Sequence, residues 1–143
     1  MIDKFYGRYF FLSNFYECPV NYKGLTYNNT EAAFHAQKTF DIETQKRFTT
    51  LNPSEAKKLG RAIPLRPDWE NVKVKIMEDI VTAKFQQHPD LQKKLIDTYP
   101  EELVEGNWWN DTFWGVCNGA GLNNLGKILM NIRDIFVKET LNG

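Results

Sequence analysis

Thr30-Glu31-Ala32-Ala33-Phe34-His35-Ala36-Gln37-Lys38-Thr39-Phe40 is the stretch around which the chain is organised. It reads as a short helix, and at about 100° per residue Glu31, Phe34, His35 and Lys38 fall at i, i+3, i+4 and i+7 along one stripe. The residues on the neighbouring faces, Ala32, Ala33, Ala36 and Phe40, are small or apolar, so the helix is expected to be packed on several sides. A carboxylate, an imidazole and an amine on one face of such a helix would line a cleft. Two simpler readings stand beside this one. Asn28 followed three residues later by Glu31 fits a variant capping box, in which the carboxylate only satisfies backbone N–H groups. Lys38 at a helix end is equally a solvated charge near the negative pole of the dipole.

Outward from that helix the chain is patterned on both sides. Upstream, Val20 and Tyr22, then Leu25 and Tyr27, alternate about Lys23-Gly24 and predict a β-hairpin leading into Glu31. Tyr6 to Phe11 is aromatic-rich enough for a strand, and Leu12-Ser13-Asn14-Phe15 interrupts it, which places Ser13 and Asn14 in a loop. Downstream, Asp41 caps a helix through Phe48, and Asn52-Pro53-Ser54-Glu55 opens another that is expected to stop at Gly60. Lys57, Lys58 and Arg61 cluster there, most simply as a solvated face. Ala62 to Pro67 reads as extended, because each proline pushes its predecessor out of the helical region. Asp68 then caps a long helix with the stripe Trp69, Val72, Ile76, Ile80 and Ala83, ending near His88-Pro89. Trp69 in its first turn either covers the core or leaves an indole face to a ligand. Asp90 to Thr98 gives a shorter helix with Leu91, Leu95 and Ile96 inward, and Glu102 to Glu105 a short strand. The last helix has Leu125, Ile128, Leu129, Ile132, Ile135 and Phe136 on its inward stripe. The expected fold class is α+β, mostly helical, a single domain over residues 1–143 with a small N-terminal hairpin.

Composition narrows the function. With 18 basic and 18 acidic residues, the chain lacks the positive surplus of a protein that holds nucleic acid mainly through its phosphates. Cys18 and Cys117 are far apart with no Cys-x-x-Cys pattern, which suggests neither a metal site nor a disulfide framework and fits a reducing, cytoplasmic setting. Met1 to Arg8 lacks the apolar run of a signal peptide, and no later segment approaches the length of a membrane span. Two stretches then stand out. In Asn107-Trp108-Trp109-Asn110-Asp111-Thr112-Phe113-Trp114-Gly115, Asp111 is a single acid among three tryptophans and a phenylalanine. It is either a turn-capping side chain or a carboxylate whose ionisation desolvation tunes. Gly119-Ala120-Gly121-Leu122-Asn123-Asn124-Leu125-Gly126 enters the last helix as the kind of loop that wraps a phosphate with backbone N–H groups, although its spacing is not that of a P-loop or a Rossmann fingerprint.

Seven motifs in register carry a resemblance: Leu12-Ser13-Asn14-Phe15, Thr30-Glu31 to Gln37-Lys38, Leu59-Gly60-Arg61, Leu65-Arg66-Pro67-Asp68-Trp69, Leu103-Val104-Glu105, Asp111-x-x-Trp114-Gly115 and Gly121-x-Asn123-x-Leu125-Gly126. Together they span nearly the whole chain and resemble the NADAR or YbiA-like family. The resemblance implies an N-glycosidase acting on ribosides, with no metal and no cofactor. Its implied substrates are ribosylamino-pyrimidine phosphates, the early riboflavin intermediates, or ADP-ribose on guanine bases, including ADP-ribosylated DNA or RNA. The family's functional glutamate falls on Glu31, its functional aspartate on Asp111, its helix-motif lysine on Lys38 and its ligand-stacking tryptophan on Trp69. Asn14, Trp114, Gly121 and Asn123 complete the expected substrate-binding set, with Arg8 and Arg61 as expected phosphate contacts.

Each group then has a chemical task. Breaking an N-glycosidic bond builds positive charge on C1′ and the ring oxygen while the base departs with the electrons, so a carboxylate at C1′ lowers the barrier and can activate water. Glu31 suits that role, and Asp111 would orient ribose hydroxyls or act as acid. Lys38 allows a second route, in which a neutral amine captures C1′ of an opened ribose as a Schiff base. The alternative from another class is a non-catalytic binder of ADP-ribose or NAD.

Overall fold

The alternation about Lys23-Gly24 folds as an antiparallel hairpin, β1 (Glu17–Tyr22) and β2 (Leu25–Asn29), with Val20 opposite Tyr27 and Tyr22 opposite Leu25. Lys23 and Gly24 both take positive φ, 50° and 88°, the conformation a two-residue hairpin turn requires. The hairpin buries Cys18, Val20, Tyr27 and Asn29 and turns the alternate residues outward. Its last residue, Asn29, is the cap of α1 (Thr30–Ala36): the Asn29 side chain accepts from the Ala32 N–H at 2.7 Å. The capping reading of Asn28 with Glu31 is therefore corrected. Asn29 satisfies the helix start, a contribution of about 1 kcal/mol, and Glu31 is released for other contacts.

This computed structural model describes Met1–Gly143, which divide into two compact units, Asn14–Gln87 and Met1–Ser13 together with His88–Gly143. The first holds the hairpin, α1, α2 (Ile42–Arg47), α3 (Pro53–Ala62) and α4 (Trp69–Gln87). Asp41 caps α2 through the Thr44 N–H, and Asn52 with Glu55 forms a full capping box on α3 with Pro53 at its first position. Helix α3 runs through Gly60 to Ala62, so the expected stop at Gly60 is overturned. That glycine serves packing rather than termination. On α4, Trp69, Ile76, Met77, Ile80, Val81, Lys84 and Phe85 are buried. Val72 and Ala83 lie at the margin of that face. The Asp68 side chain does not cap this helix; it takes a fork of two bonds from Arg66 at 2.6 and 2.8 Å.

The other unit begins differently from its expectation. Gly7–Leu12 is a 3-10 helix and not a strand, with Gly7 at φ 58° and only Phe11 and Leu12 buried. The aromatic residues that favour a strand lack a partner strand there, and Ile2 alone pairs, in a parallel bridge to Leu103. The strand expected at Glu102 to Glu105 is reduced to that bridge, and the short parallel pair is β3 (Gly106–Asn107) with β4 (Val116–Cys117). Helix α5 (Pro89–Asp97) buries Leu91 and Leu95. Helix α6 (Asn124–Asn142) buries Leu125, Ile128, Leu129, Ile132 and Phe136 as read, but Ile135 is exposed and Arg133 takes the inward place. Arg133 is held by the Glu101 carbonyl at 2.7 Å and the Thr98 hydroxyl at 3.1 Å. No helix is long and apolar enough to cross a membrane.

Candidate functional site

The stripe read on α1 is present in the Asn14–Gln87 unit. The helix ends at Ala36 with Gln37 as its C-cap, one turn earlier than Phe40, and Lys38 continues the line from the turn that follows. His35 and Glu31, one turn apart, meet at 2.7 Å between Nε2 and Oε1, with side chains only 9% and 13% exposed. The other ring nitrogen, Nδ1, is buried and has no hydrogen-bond partner. That asymmetry assigns the proton. A hydrogen on Nδ1 would be an orphaned buried donor costing about 1–3 kcal/mol, whereas a bare lone pair costs less. Nε2–H therefore donates to Glu31, and the carboxylate oxygen it grips is fixed in direction. Glu31 is thus a nearly buried carboxylate that caps nothing and is aimed by a single donor.

The reason Nδ1 has no partner lies on α3. A methyl group at Gly60 would come within 2.2 Å of Nδ1 and 2.6 Å of the ring Cγ, so the imidazole lies against the bare glycine backbone. The Gly60 carbonyl also accepts from the Lys38 ammonium at 3.2 Å. One glycine, passed over as a helix stop, thereby seats two members of the stripe. The signal that could have found it was the strength of the flanking sequence: a capping box with proline, followed by Arg61 and Ala62, has no local reason to end at residue 60.

Lys38 is half-buried, and its pKa is lowered from the ordinary lysine value chiefly by that burial. The charge of Glu31 pulls it back up, and the positive charges of Arg61 and Lys73 press it further down. Lys73, on α4 and ion-paired with Glu70, was not among the residues singled out from sequence. Arg61 itself is exposed at the end of α3. Lys38 thus sits among the charges of Glu31, Arg61 and Lys73, with burial setting the direction of its shift. Trp69 is only 5% exposed and its ring lies 5.1 Å from that of Phe34; packing takes most of its surface. Asn14 is also buried. It accepts from the Thr30 hydroxyl through Oδ1 at 3.0 Å, and its Nδ2 faces the Met77 sulfur at 3.4 Å. Its side chain ties the loop before β1 to α1 and α4.

The remaining expected residues lie in the other unit. Asp111 Oδ1 accepts from the Phe113 and Trp114 N–H groups at 3.1 and 2.9 Å, a turn-capping arrangement. The Trp114 ring stands edge-on to Phe113 at 4.8 Å. Asn123 is at φ 54°; its amide donates to the Leu103 carbonyl and accepts from the Glu105 N–H, so its side chain holds the β3 approach. Gly121, at φ 152°, has no room for a Cβ beside the Gly115 carbonyl. Arg8 is exposed, donating to the Tyr9 hydroxyl with its guanidinium 4.8 Å from that ring. Exposed aromatic rings cluster nearby, with Tyr6 5.8 Å from Trp108 and Trp108 5.0 Å from Trp109.

Comparison with known proteins now adds to the geometry. The model of the NADAR domain family matches residues 4–137. The N-glycosidase YbiA of Shigella boydii is 39% identical over 126 residues, covering 85% of this chain and 78% of that protein. A chloroplastic riboflavin biosynthesis protein of Arabidopsis thaliana is 36% identical over 110 residues, 72% of this chain and 18% of that much longer protein. The solution structure of Escherichia coli YbiA superposes with a TM-score of 0.87 at 35% identity, covering 100% of this chain and 90% of the other. Motifs, fold and whole-length match agree, and the chain belongs to the NADAR domain family.

Proposed function

We propose, for this N-glycosidase of the NADAR family, that the bond it hydrolyses joins a base or amine to a ribose phosphate, and that Glu31 is the catalytic carboxylate. The single observation that carries the reading is the Glu31–His35 pair at 2.7 Å beside a half-buried Lys38 of lowered pKa. A carboxylate in that setting faces the two requirements of the reaction. It stabilises the positive charge growing on C1′, and it takes the proton of the attacking water. His35 is a positioning residue: its Nε2–H, 2.7 Å from Oε1, fixes the direction of the carboxylate. Lys38, while protonated, gives a proton to the departing nitrogen, so that water supplies the hydroxyl on C1′ and the amine leaves neutral. The candidate substrates are ribosylamino-pyrimidine phosphates, supported by relatives named for riboflavin biosynthesis, and ADP-ribose attached to guanine bases. Incubation with each, reading released ribose 5-phosphate or ADP-ribose, decides between them. Release of neither would remove the proposal.

The lowered pKa of Lys38 favours a second route on the same residues. An unprotonated Lys38 amine can add to C1′ of an opened ribose, expel the amine as a Schiff base forms, and be freed by water. Borohydride added during turnover reduces such an adduct to a stable amine on Lys38. Direct attack by water leaves nothing to trap.

A further inference from the structure

On a different face of α1 a second site is built. In the Asn14–Gln87 unit a cleft of about 220 Å³ opens against Gln37 and Tyr27. Neither belongs to the Glu31 stripe: Tyr27 is on β2, and Gln37, the C-cap of α1, lies about 200° round the helix from His35. Both side chains are nine-tenths or more buried, Gln37 at 5% and Tyr27 at 1% exposure. Gln37 Nε2 donates to the Ala33 carbonyl at 3.1 Å and reaches the Tyr27 hydroxyl at 3.5 Å. Those two contacts fix which end of the amide is nitrogen and leave Oε1, on a residue that lines the cleft, as an acceptor. The Tyr27 hydroxyl, accepting from Gln37, keeps its own hydrogen to donate. The floor thus offers an acceptor and a donor side by side, the pattern that matches the edge of a nucleobase.

The walls suit the same ligand. Phe40, 66% exposed, stands on one side with the Arg66 guanidinium 4.2 Å from its ring centroid. Arg66 is held by its fork onto Asp68, so the cation beside the Phe40 ring is preformed. At the mouth, Lys23 lies 5.6 Å over the ring of Tyr22, an exposed cation with no acid of its own. The volume falls below the roughly 300–1,000 Å³ of drug-sized pockets, so it holds one ring system and not a dinucleotide.

We propose that the cleft bounded by Gln37, Tyr27, Phe40 and Arg66 is a second binding site, for the base of a nucleoside monophosphate whose phosphate meets Lys23. The ring stacks on Phe40 and Arg66 while its polar edge is read by Gln37 and Tyr27. The site stands apart from the glycosidase proposal and is measured without turnover.

The test is titration of the full chain carrying Glu31→Gln with adenosine, guanosine, cytidine and uridine 5′-monophosphates, with the parent nucleosides and inorganic phosphate alongside. Binding is read by calorimetry and by shifts of the Gln37 side-chain amide. At least one monophosphate is expected to bind and to shift that amide. Phe40→Ala, at an exposed position that tolerates it, should weaken this by about tenfold or more. Lys23→Ala should erase the preference for nucleotide over nucleoside. No binding at millimolar concentration, shifts that avoid Gln37, or affinity indifferent to Phe40→Ala would each overturn the site.

Discussion

Gly60→Ala is the perturbation whose consequence can be worked furthest from this structure. In the middle of α3 the exchange by itself would gain about 0.5–1 kcal/mol of helix stability. Here the new methyl carbon would lie 2.2, 2.6 and 2.9 Å from Nδ1, Cγ and Cβ of His35. Ordinary contact begins near 3.4 Å, so the imidazole must retreat by about 1 Å, and a buried ring makes room only at an overpacking cost of about 1–3 kcal/mol. The net loss of stability is therefore expected near 1 kcal/mol. A 1 Å displacement breaks the 2.7 Å bond that aims Glu31, and misplacing a reacting group by that much costs on the order of a hundredfold in rate. The assay is release of ribose 5-phosphate from a ribosylamino-pyrimidine phosphate, with urea unfolding in parallel. We expect kcat to fall by about a hundredfold with KM nearly unchanged. Adding His35→Ala to Gly60→Ala removes the clash and should restore stability while leaving kcat low. A Gly60→Ala enzyme with unchanged kcat, or a double variant that regains activity, would refute the role given to His35.

Three further outcomes follow from other residues. Because burial holds the Lys38 pKa down, the Schiff-base route predicts a rate that rises with pH to a midpoint below the ordinary lysine value and a borohydride adduct, both lost in Lys38→Met; a flat profile without adduct selects direct hydrolysis. Lys84 is wholly buried on α4, which lowers its pKa to about 8. The unfolded chain then binds the extra proton between about pH 8 and 10.5, so stability should rise across that window by roughly 3 kcal/mol and stay depressed below it; Lys84→Met should flatten the rise seen by urea unfolding, and parallel curves would contradict this. Asp111→Asn keeps the Oδ1 acceptor for the Phe113 and Trp114 N–H groups, so it should unfold like the parent within about 0.5 kcal/mol while losing activity if the charge takes part in the reaction; full activity in Asp111→Asn leaves the residue only its turn.

What the sequence made legible were features set by local pattern. The hairpin at Lys23-Gly24 needs only alternation and a turn, and α4 only a helical period, so both were readable without tertiary knowledge. The stripe of Glu31, His35 and Lys38 was readable for the same reason. What was not legible depended on a distant partner. Tyr6 to Phe11 has strand propensity, but a strand needs a neighbour, and without one the segment coils into a 3-10 helix. Gly60 looks like a stop because glycine usually is one, yet its purpose is the imidazole of His35, 25 positions earlier. Arg133 is buried on α6 because carbonyls at Thr98 and Glu101 await it, while Ile135 falls outside the buried face. The cap reading of Glu31 turned on one residue, since Asn29 and not Asn28 begins the helix.

The measurement that bears most directly on the central claim is single-turnover hydrolysis of the ribosylamino-pyrimidine phosphate and the ADP-ribosylated guanine oligonucleotide by the wild-type chain and by Glu31→Gln. The account predicts release of ribose phosphate or ADP-ribose from at least one of them, reduced by about 10²–10⁴-fold in Glu31→Gln with binding of that substrate retained. Equal release by the two proteins would contradict it.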